Sequence, residues 1–401
     1  METTIRAGLR SLGLIAQATR CEFFDRLDFP VYRLEVRAAD GPGGLPVLRA
    51  WGKGTLPESA KAGAWAEAVE RLAALRPFRP QTITASYRSV RHWALDPARL
   101  LPSRLDLVPS SRQPDYDPDR PILWVEGRCL ADGRVILLPA SYVYLRPAGA
   151  DGLVVATSSG LAAGADRPSA LLHALCELVE RDATMIVMRN RLVMDDIEVD
   201  SLDASLAERF ADSGLVLYLK DFTSDIRLAT VGAVIVDPGG RYPSHTYGFG
   251  THPDPVVACW RAVTEAAQSR VIHLYHAVRL HQVSFPDAQQ RRAIFAHLTA
   301  RGLRRKPVCW LPKVEGAGPE ELSARCLAEI CRVLPDAETY VASLDLPETG
   351  LAVVRLIVPG LVPPQANYPF VTNRLLEVPF RLGLRASAVR AEELWSGTWP
   401  H

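Results

Sequence analysis

Two stretches of this chain superpose without a gap once Gly54 is set on Gly164. They are WGKGTLPESAKAGAWAEAVERL from Trp51 and SSGLAAGADRPSALLHALCELVERD from Ser158. In each copy the glycine stands thirteen residues before a glutamate that opens E-x-x-E-R: Glu67, Glu70, Arg71 and Glu177, Glu180, Arg181. A chain built this way must make one small-residue turn followed by a helix at least twice. At about 100° per residue, Leu171, Leu172, Leu175, Leu178 and Val179 gather on one side of the second helix. Ala170, His173, Ala174, Glu177, Glu180 and Arg181 gather on the other. One face is core, and the opposite face carries two carboxylates one turn apart beneath small residues that would let a ligand approach the backbone. In the first copy Trp65, Val69 and Leu72 take the apolar side, so Glu67 and Glu70 again lie opposite it.

A weaker third copy is GFGTHPDPVVACWRAVTEAAQSR, where Glu265 and Gln268 take the carboxylate positions and Arg270 lies close behind. Oxygen ligands on related helices suit a hard cation such as Mg²⁺, which keeps several waters and bridges to phosphates. Glycine turns at the helix starts, with Lys53 and Thr55 beside one of them, would hold phosphate oxygens on backbone N–H groups. Arg181 and Arg270 would clamp phosphate as planar donors. The P-loop is absent, since Gly52-Lys53 would need a glycine at Val47. On one helix an E-x-x-E-R run is ordinarily a solvated face supported by i,i+4 pairs. The pattern alone therefore leaves two readings, a cation site and a solvated face. His173 and His252 lie near the motifs without a Cys/His cluster, and Ser158 and Ser159 have no adjacent base, so neither pair reads as chemistry.

Forty-six basic residues against 45 acidic leave a formal charge of +1, which gives no broad attraction to nucleic acid or acidic membrane. The N-terminal METTIRAGLRSLGL has no apolar signal core, and no apolar run reaches the ~18 residues of a membrane span. Seven cysteines without C-x-x-C spacing fit buried thiols better than zinc or disulfides. The chain reads as cytoplasmic. A short helix and the strand FPVYRLEVRA come first, then a Gly/Pro turn at 41–46, a strand at 47–51 and a helix over 58–75. A surface loop over 96–120 and a hairpin around Ala131-Asp132-Gly133 follow. Strands at 215–219 and 228–236, a turn from Gly248 to Pro255 and a helix over 256–280 come next. The region 286–335 reads as helical with a strand at PVCWLP, and 352–360 as a strand. No linker divides the chain, so 1–401 reads as one domain with repeat-like units near 47–75, 154–190 and 228–280 and a Pro-rich segment at 359–401.

These three stretches, with VVRLIVPG near the C-terminus, resemble the YcaO family from about Phe29 to Pro379. The resemblance implies a mixed α/β (α+β) fold built on strand–turn–helix repeats. It implies an enzyme that uses ATP and Mg²⁺ to O-phosphorylate a backbone amide of a ribosomally made peptide. The product would be an azoline when the nucleophile is a neighbouring side chain, a thioamide when it is sulfide, or an amidine when it is an amine. Carried over by motif, Glu67, Glu70, Glu177 and Glu180 would hold magnesium. Arg181, Arg270 and Gln268 would act at the phosphates, and Thr4, Lys53, Ala162, Ala165 and Glu265 would complete the ATP contacts. The chain departs from the family at Ala165 and Ser159, where Asn is common, and in its SGTWPH ending with a single proline. No fused E1-like region is present, so a separate TfuA-like or E1-like partner is expected beside the precursor peptide, with a homodimer as a further arrangement. The departures motivate a second reading, a non-catalytic scaffold that binds nucleotide or peptide for a partner enzyme.

Overall fold

Each repeat folds as a short strand, a turn and a helix. A proline in the first helical turn, Pro57, Pro168 or Pro255, starts each helix where its missing N–H leaves nothing unpaired. In the second copy Asp166 is the N-cap, its carboxylate accepting from Ser169 N at 2.8 Å. The computed structural model describes residues 1–39, 47–75, 82–101, 104, 106, 116–145, 157–280, 288–362 and 371–395. The expected turn at 41–46, much of the loop at 96–120, residues 154–156 of the second unit and the SGTWPH ending lie outside them.

The chain opens with α1 (Glu2–Ser11), β1 (Leu14–Arg20), β2 (Val31–Ala38), β3 (Leu48–Lys53) and α2 (Pro57–Ala73). Next come β4 (Ile83–Ser86), the single-turn α3 (Tyr87–Val90), β5 (Pro121–Cys129), β6 (Val135–Pro139), α4 (Ala140–Val143), β7 (Leu161–Gly164) and α5 (Arg167–Asn190). Then follow β8 (Asp196–Ile197), α6 (Ala204–Ser213), β9 (Val216–Asp221), β10 (Thr230–Val236), β11 (His245–Thr251) and α7 (Pro255–Leu280). The remainder is α8 (Ala288–Thr299), β12 (Arg305–Lys306), α9 (Pro319–Val333), β13 (Tyr340–Ser343), β14 (Ala352–Ile357) and α10 (Asn373–Arg381). The fold is mixed α/β, as expected.

The strands form three sheets: β1-β2-β3, then β4-β5-β13-β14-β7 with β6 on β5, then β11-β10-β9-β8-β12. The repeat strands β3, β7 and β11 each form one edge of a different sheet. Each repeat helix packs on its own strand and also on the strand of another copy: α2 on β7, α5 on β11, α7 on β3. The three units therefore close into a ring. On the sheet side their apolar stripes are buried, with Trp65, Val69 and Leu72 at 0% exposure in α2 and Leu175 and Val179 equally enclosed in α5.

Several details differ from expectation. Two of the glycines read as turns, Gly52 and Gly250, are instead contacts between strand and helix, whereas Gly54 lies in the turn after β3 and lines the cleft that the ring encloses. Gly52 lies in β3, where a Cβ would overlap the Ala60 carbonyl and Ala64 N. Gly250 lies in β11, inside the expected 248–255 turn, and a Cβ there would overlap the Ala258 carbonyl and crowd Ala262 N at 2.7 Å. Ala170 and Ala174 are likewise fully buried, so they serve close packing and not ligand approach. PVCWLP makes a 3₁₀ turn at Val308–Trp310, and β1, β13 and α10 were not anticipated. Five of the seven cysteines are buried and all are free. Among the described residues no helix is long and apolar enough to cross a membrane.

Candidate active site

The ring encloses a cleft of about 990 Å³, at the upper end of ordinary ligand pockets. Each repeat helix lines it with the same three positions, spaced four and then three residues apart. These are Gly63, Glu67 and Glu70 on α2, His173, Glu177 and Glu180 on α5, and Arg261, Glu265 and Gln268 on α7. Such spacing keeps one helical face turned inward over two turns.

The first carboxylate of each trio is held in the same way. Glu67 accepts from Trp51 N at 3.1 Å, Glu177 from Gly160 N at 3.2 Å and Glu265 from Phe249 N at 3.4 Å. These bonds satisfy N–H groups of the edge strands β3 and β11 and, at Gly160, of the turn that leads into β7, groups that would otherwise be open. The other oxygen of each meets a cation: Arg71 for Glu67, Arg181 at 3.5 Å for Glu177, and Lys53 for Glu265. The second carboxylates are less well served. Burial, followed by repulsion from Glu177 and Glu67, pushes Glu70 well above the usual carboxylate range. Burial and then Glu265 push Glu180 up, and its residue is only 4% exposed. Burial also raises Glu67 and Glu177 against their arginines. Glu265 is the exception, because Lys53 and Arg181 more than offset its burial and lower it.

A group of desolvated, mutually repelling carboxylates is stabilised by a cation, and all-oxygen donors suit Mg²⁺. Among the described residues no three His, Cys, Asp or Glu side chains converge on a single point. Mg²⁺ does not require such a cage, since one or two carboxylates with waters and phosphate oxygens suffice. The side chains present fit that use. Arg181 is about one-third exposed, and although burial opposes its charge, Glu177, Glu180 and Glu265 hold its pKa above the ordinary value.

Of the residues singled out from sequence, Lys53, Ala162, Glu67, Glu70, Glu177, Glu180, Arg181, Glu265 and Gln268 line the cleft. Three do not. Arg270 is buried and donates to Asp25 at 3.1 and 3.2 Å and to the Pro243 carbonyl at 3.0 Å. It follows Glu265 by five residues, whereas Arg181 follows Glu177 by four, and that extra 100° turns it away. Thr4 is exposed on α1, its methyl beside Gly350. Ala165 is exposed in the turn just before the Asp166 cap.

Sequence reading missed Arg355, the one charge in the apolar strand AVVRLI of β14. It is 3% exposed, its Nε donates to the Tyr142 carbonyl at 2.7 Å, and it also donates to the Thr157 carbonyl. Its Nη1 has no hydrogen-bond partner among the described residues. Burial brings its pKa down to about 10 against the pull of Glu177 and Glu70, so a cation lies behind the carboxylates. A lone arginine in an apolar strand was the available signal. His173 was also passed over, and it faces the cleft.

Comparison with known proteins identifies the chain's relatives. The family "YcaO cyclodehydratase, ATP- and Mg²⁺-binding" matches residues 51–362. A protein from the tfuA 3′ region of Rhizobium leguminosarum bv. trifolii is 31% identical over 383 residues, covering 89% of this chain and 86% of that one. A heterocyclase solved in complex with substrate and cofactor superposes with a TM-score of 0.78 at 23% identity. The match covers 93% of this chain but 53% of the heterocyclase, so the chain spans about half its length. YcaO from Methanopyrus kandleri, bound with AMPPCP and Mg²⁺, superposes with a TM-score of 0.67 at 24% identity over 90% of each chain. At these identities the two structures share the fold.

Proposed function

The chain belongs to the YcaO family, and from that premise we propose that it is an ATP- and Mg²⁺-dependent enzyme. In this reading it activates a backbone amide of a ribosomally made peptide and replaces the amide oxygen, giving a thioamide or an azoline. The observation that carries the reading is the ring itself, in which α2 brings Glu67 and Glu70, α5 brings Glu177 and Glu180, and α7 brings Glu265 and Gln268 to line one desolvated cleft. When bound, Mg²⁺ and ATP supply the phosphoryl group that makes the amide oxygen a leaving group, with its charge neutralised.

The chain's own residues supply position and charge. Glu70 and Glu180 hold the metal, because burial and repulsion from neighbouring carboxylates raise both while Glu67, Glu177 and Glu265 already meet cations. Glu67 and Glu177 contribute where they are not committed to backbone N–H groups. Arg181 contacts phosphate, Gln268 orients the reacting group from the third helix, and Lys53 and Ala162 line the nucleotide's path. Lys53, now paired with Glu265, is a cation that an incoming phosphate can draw off. The whole chain works as one catalytic unit.

The relative from a tfuA region supports a separate partner of that kind and, with it, a thioamide product. The test is peptide-dependent phosphate release, using a candidate precursor peptide with a TfuA-like partner protein, sulfide and Mg²⁺–ATP, followed by mass measurement of the peptide. Exchange of oxygen for sulfur is expected, and loss of water would assign azoline formation instead. ATP binding without turnover on any supplied peptide would favour the scaffold reading.

A further inference from the structure

Resting on the enzymatic reading above, we propose that His173 is the general base of the site, removing the proton from the nucleophile as it adds to the amide carbonyl. The ring occupies the outermost of the three inward positions on α5, matched by Gly63 on α2 and Arg261 on α7, and it is exposed to the cleft. Its Nδ1 lies 3.0 Å from the carbonyl oxygen of Ala163 in β7. A carbonyl oxygen only accepts, so Nδ1 carries the hydrogen. In the neutral ring Nε2 then holds the free lone pair, and the bond to β7 fixes which nitrogen is basic.

The other acceptors lining the cleft are committed. Glu67, Glu177 and Glu265 each hold a backbone N–H and a cation. Asp203 accepts from Ser205 N at 2.9 Å and Ser205 Oγ at 2.7 Å as the cap of α6. Glu70 and Glu180 are reserved for the metal. His173 is therefore the neutral base left among the described cleft-lining residues. The charged and titratable groups that face it are Arg261 on α7, Asp166 in its own turn and His252 in the turn before α7. Desolvation and Arg261 both favour the neutral ring, while Asp166 and the Ala163 carbonyl oppose them less strongly.

As the bond forms between nucleophile and carbonyl carbon, the C=O π pair moves onto oxygen. The S–H or O–H proton passes to Nε2. That oxygen then takes the γ-phosphoryl group of ATP as the bond to the ADP oxygen breaks. The C–O bond breaks as the neighbouring nitrogen or sulfur loses its remaining proton to solvent and forms C=N or C=S, and the imidazolium returns its proton to the departing phosphate.

His173→Asn is the discriminating variant, because its amide N–H can still reach the Ala163 carbonyl but it offers no base. Calorimetry should find its Mg²⁺–ATP affinity within threefold of wild type. Precursor-dependent phosphate release should fall at least ~100-fold, the lower end of what general bases contribute, and the acid limb of the kcat/KM profile should disappear. Independently of turnover, ¹⁵N NMR of the ligand-free wild type should report the Nδ1–H tautomer for His173. Turnover within threefold of wild type with the same acid limb overturns the base, as does an Nε2–H tautomer. Loss of Mg²⁺–ATP binding in the variant would make the ring a nucleotide contact and also overturn it. A wild type that releases no phosphate with precursor and partner overturns the enzymatic reading, and the base with it.

Discussion

Glu67, Glu177 and Glu265 each split their two oxygens between a backbone N–H in or just before an edge strand and a cation, so a ligand must compete for them. Glu70 and Glu180 form no ion pair of their own among the described residues, and burial and neighbouring carboxylates raise both, Glu70 well above the usual range even with the Ala163 backbone bond opposing it. The arginines divide just as sharply. Arg270 and Asp25 form a pair with side chains 3% exposed on both sides. Removing one partner of a buried pair strands the other charge, at a cost of about 3–5 kcal/mol. Arg270→Met is therefore predicted to unfold at a clearly lower denaturant midpoint while its folded fraction binds Mg²⁺–ATP normally. Arg181→Met is predicted to do the reverse, keeping the midpoint and weakening nucleotide binding at least tenfold. Chemical denaturation and calorimetry on both variants check the pair of outcomes.

Repeat elements were the most legible part of the fold. The strand–turn–helix periodicity placed α2 and α7 within one or two residues of their ends and located α5, which runs on past the motif to Asn190, because apolar spacing at 3.6 residues is a strong local signal. Glycine misled because its two uses look alike in sequence. Gly52 and Gly250 are absent of side chain so that helix backbone can lie against strand backbone, and only the packing distinguishes that from a turn. Short strands such as β13, four residues set between β5 and β14, carry no comparable signal, because their pairing partners lie outside the local window. Helix α10 was hidden by Pro379 in its interior. Gly250→Ala is predicted to cost about 1–3 kcal/mol by overpacking, read from the urea midpoint, since the clash is with backbone that cannot rotate away. Gly133→Ala, at φ +72 with open space around it, would be strained locally but would leave the cleft's Mg²⁺–ATP affinity unchanged.

For the molecule as a whole, sequence could name the four glutamates but not the closure of three sheets into a ring, because that depends on which edges meet. The ring also explains why the third copy could diverge, with Gln268 and a displaced Arg270: one contact set between helix and strand holds each unit whatever lies in the cleft. Away from the cleft, His245, His273 and His297 are buried, and burial brings them down to about 4, 3 and 4. In the unfolded chain imidazole binds its proton near 6.5. Between those values the unfolded state holds more protons, so stability present above about pH 6.5 falls as pH drops towards 4. The carboxylates raised in the cleft act with the opposite sign, because their penalty grows as pH rises and a bound cation relieves it. Melting temperature in saturating Mg²⁺ should therefore fall from pH 7 to 4.5, and His297→Asn should shrink that fall.

The central claim is that the three repeats form one site for Mg²⁺–ATP. Calorimetric titration of Mg²⁺–ATP into wild type and Glu180→Gln tests it most directly. Glu180 is buried at the floor of the cleft, and the substitution keeps its shape while removing its charge. Saturable wild-type binding that weakens at least tenfold in the variant is the predicted result. Equal affinity in the two proteins, or no binding by either, would contradict it.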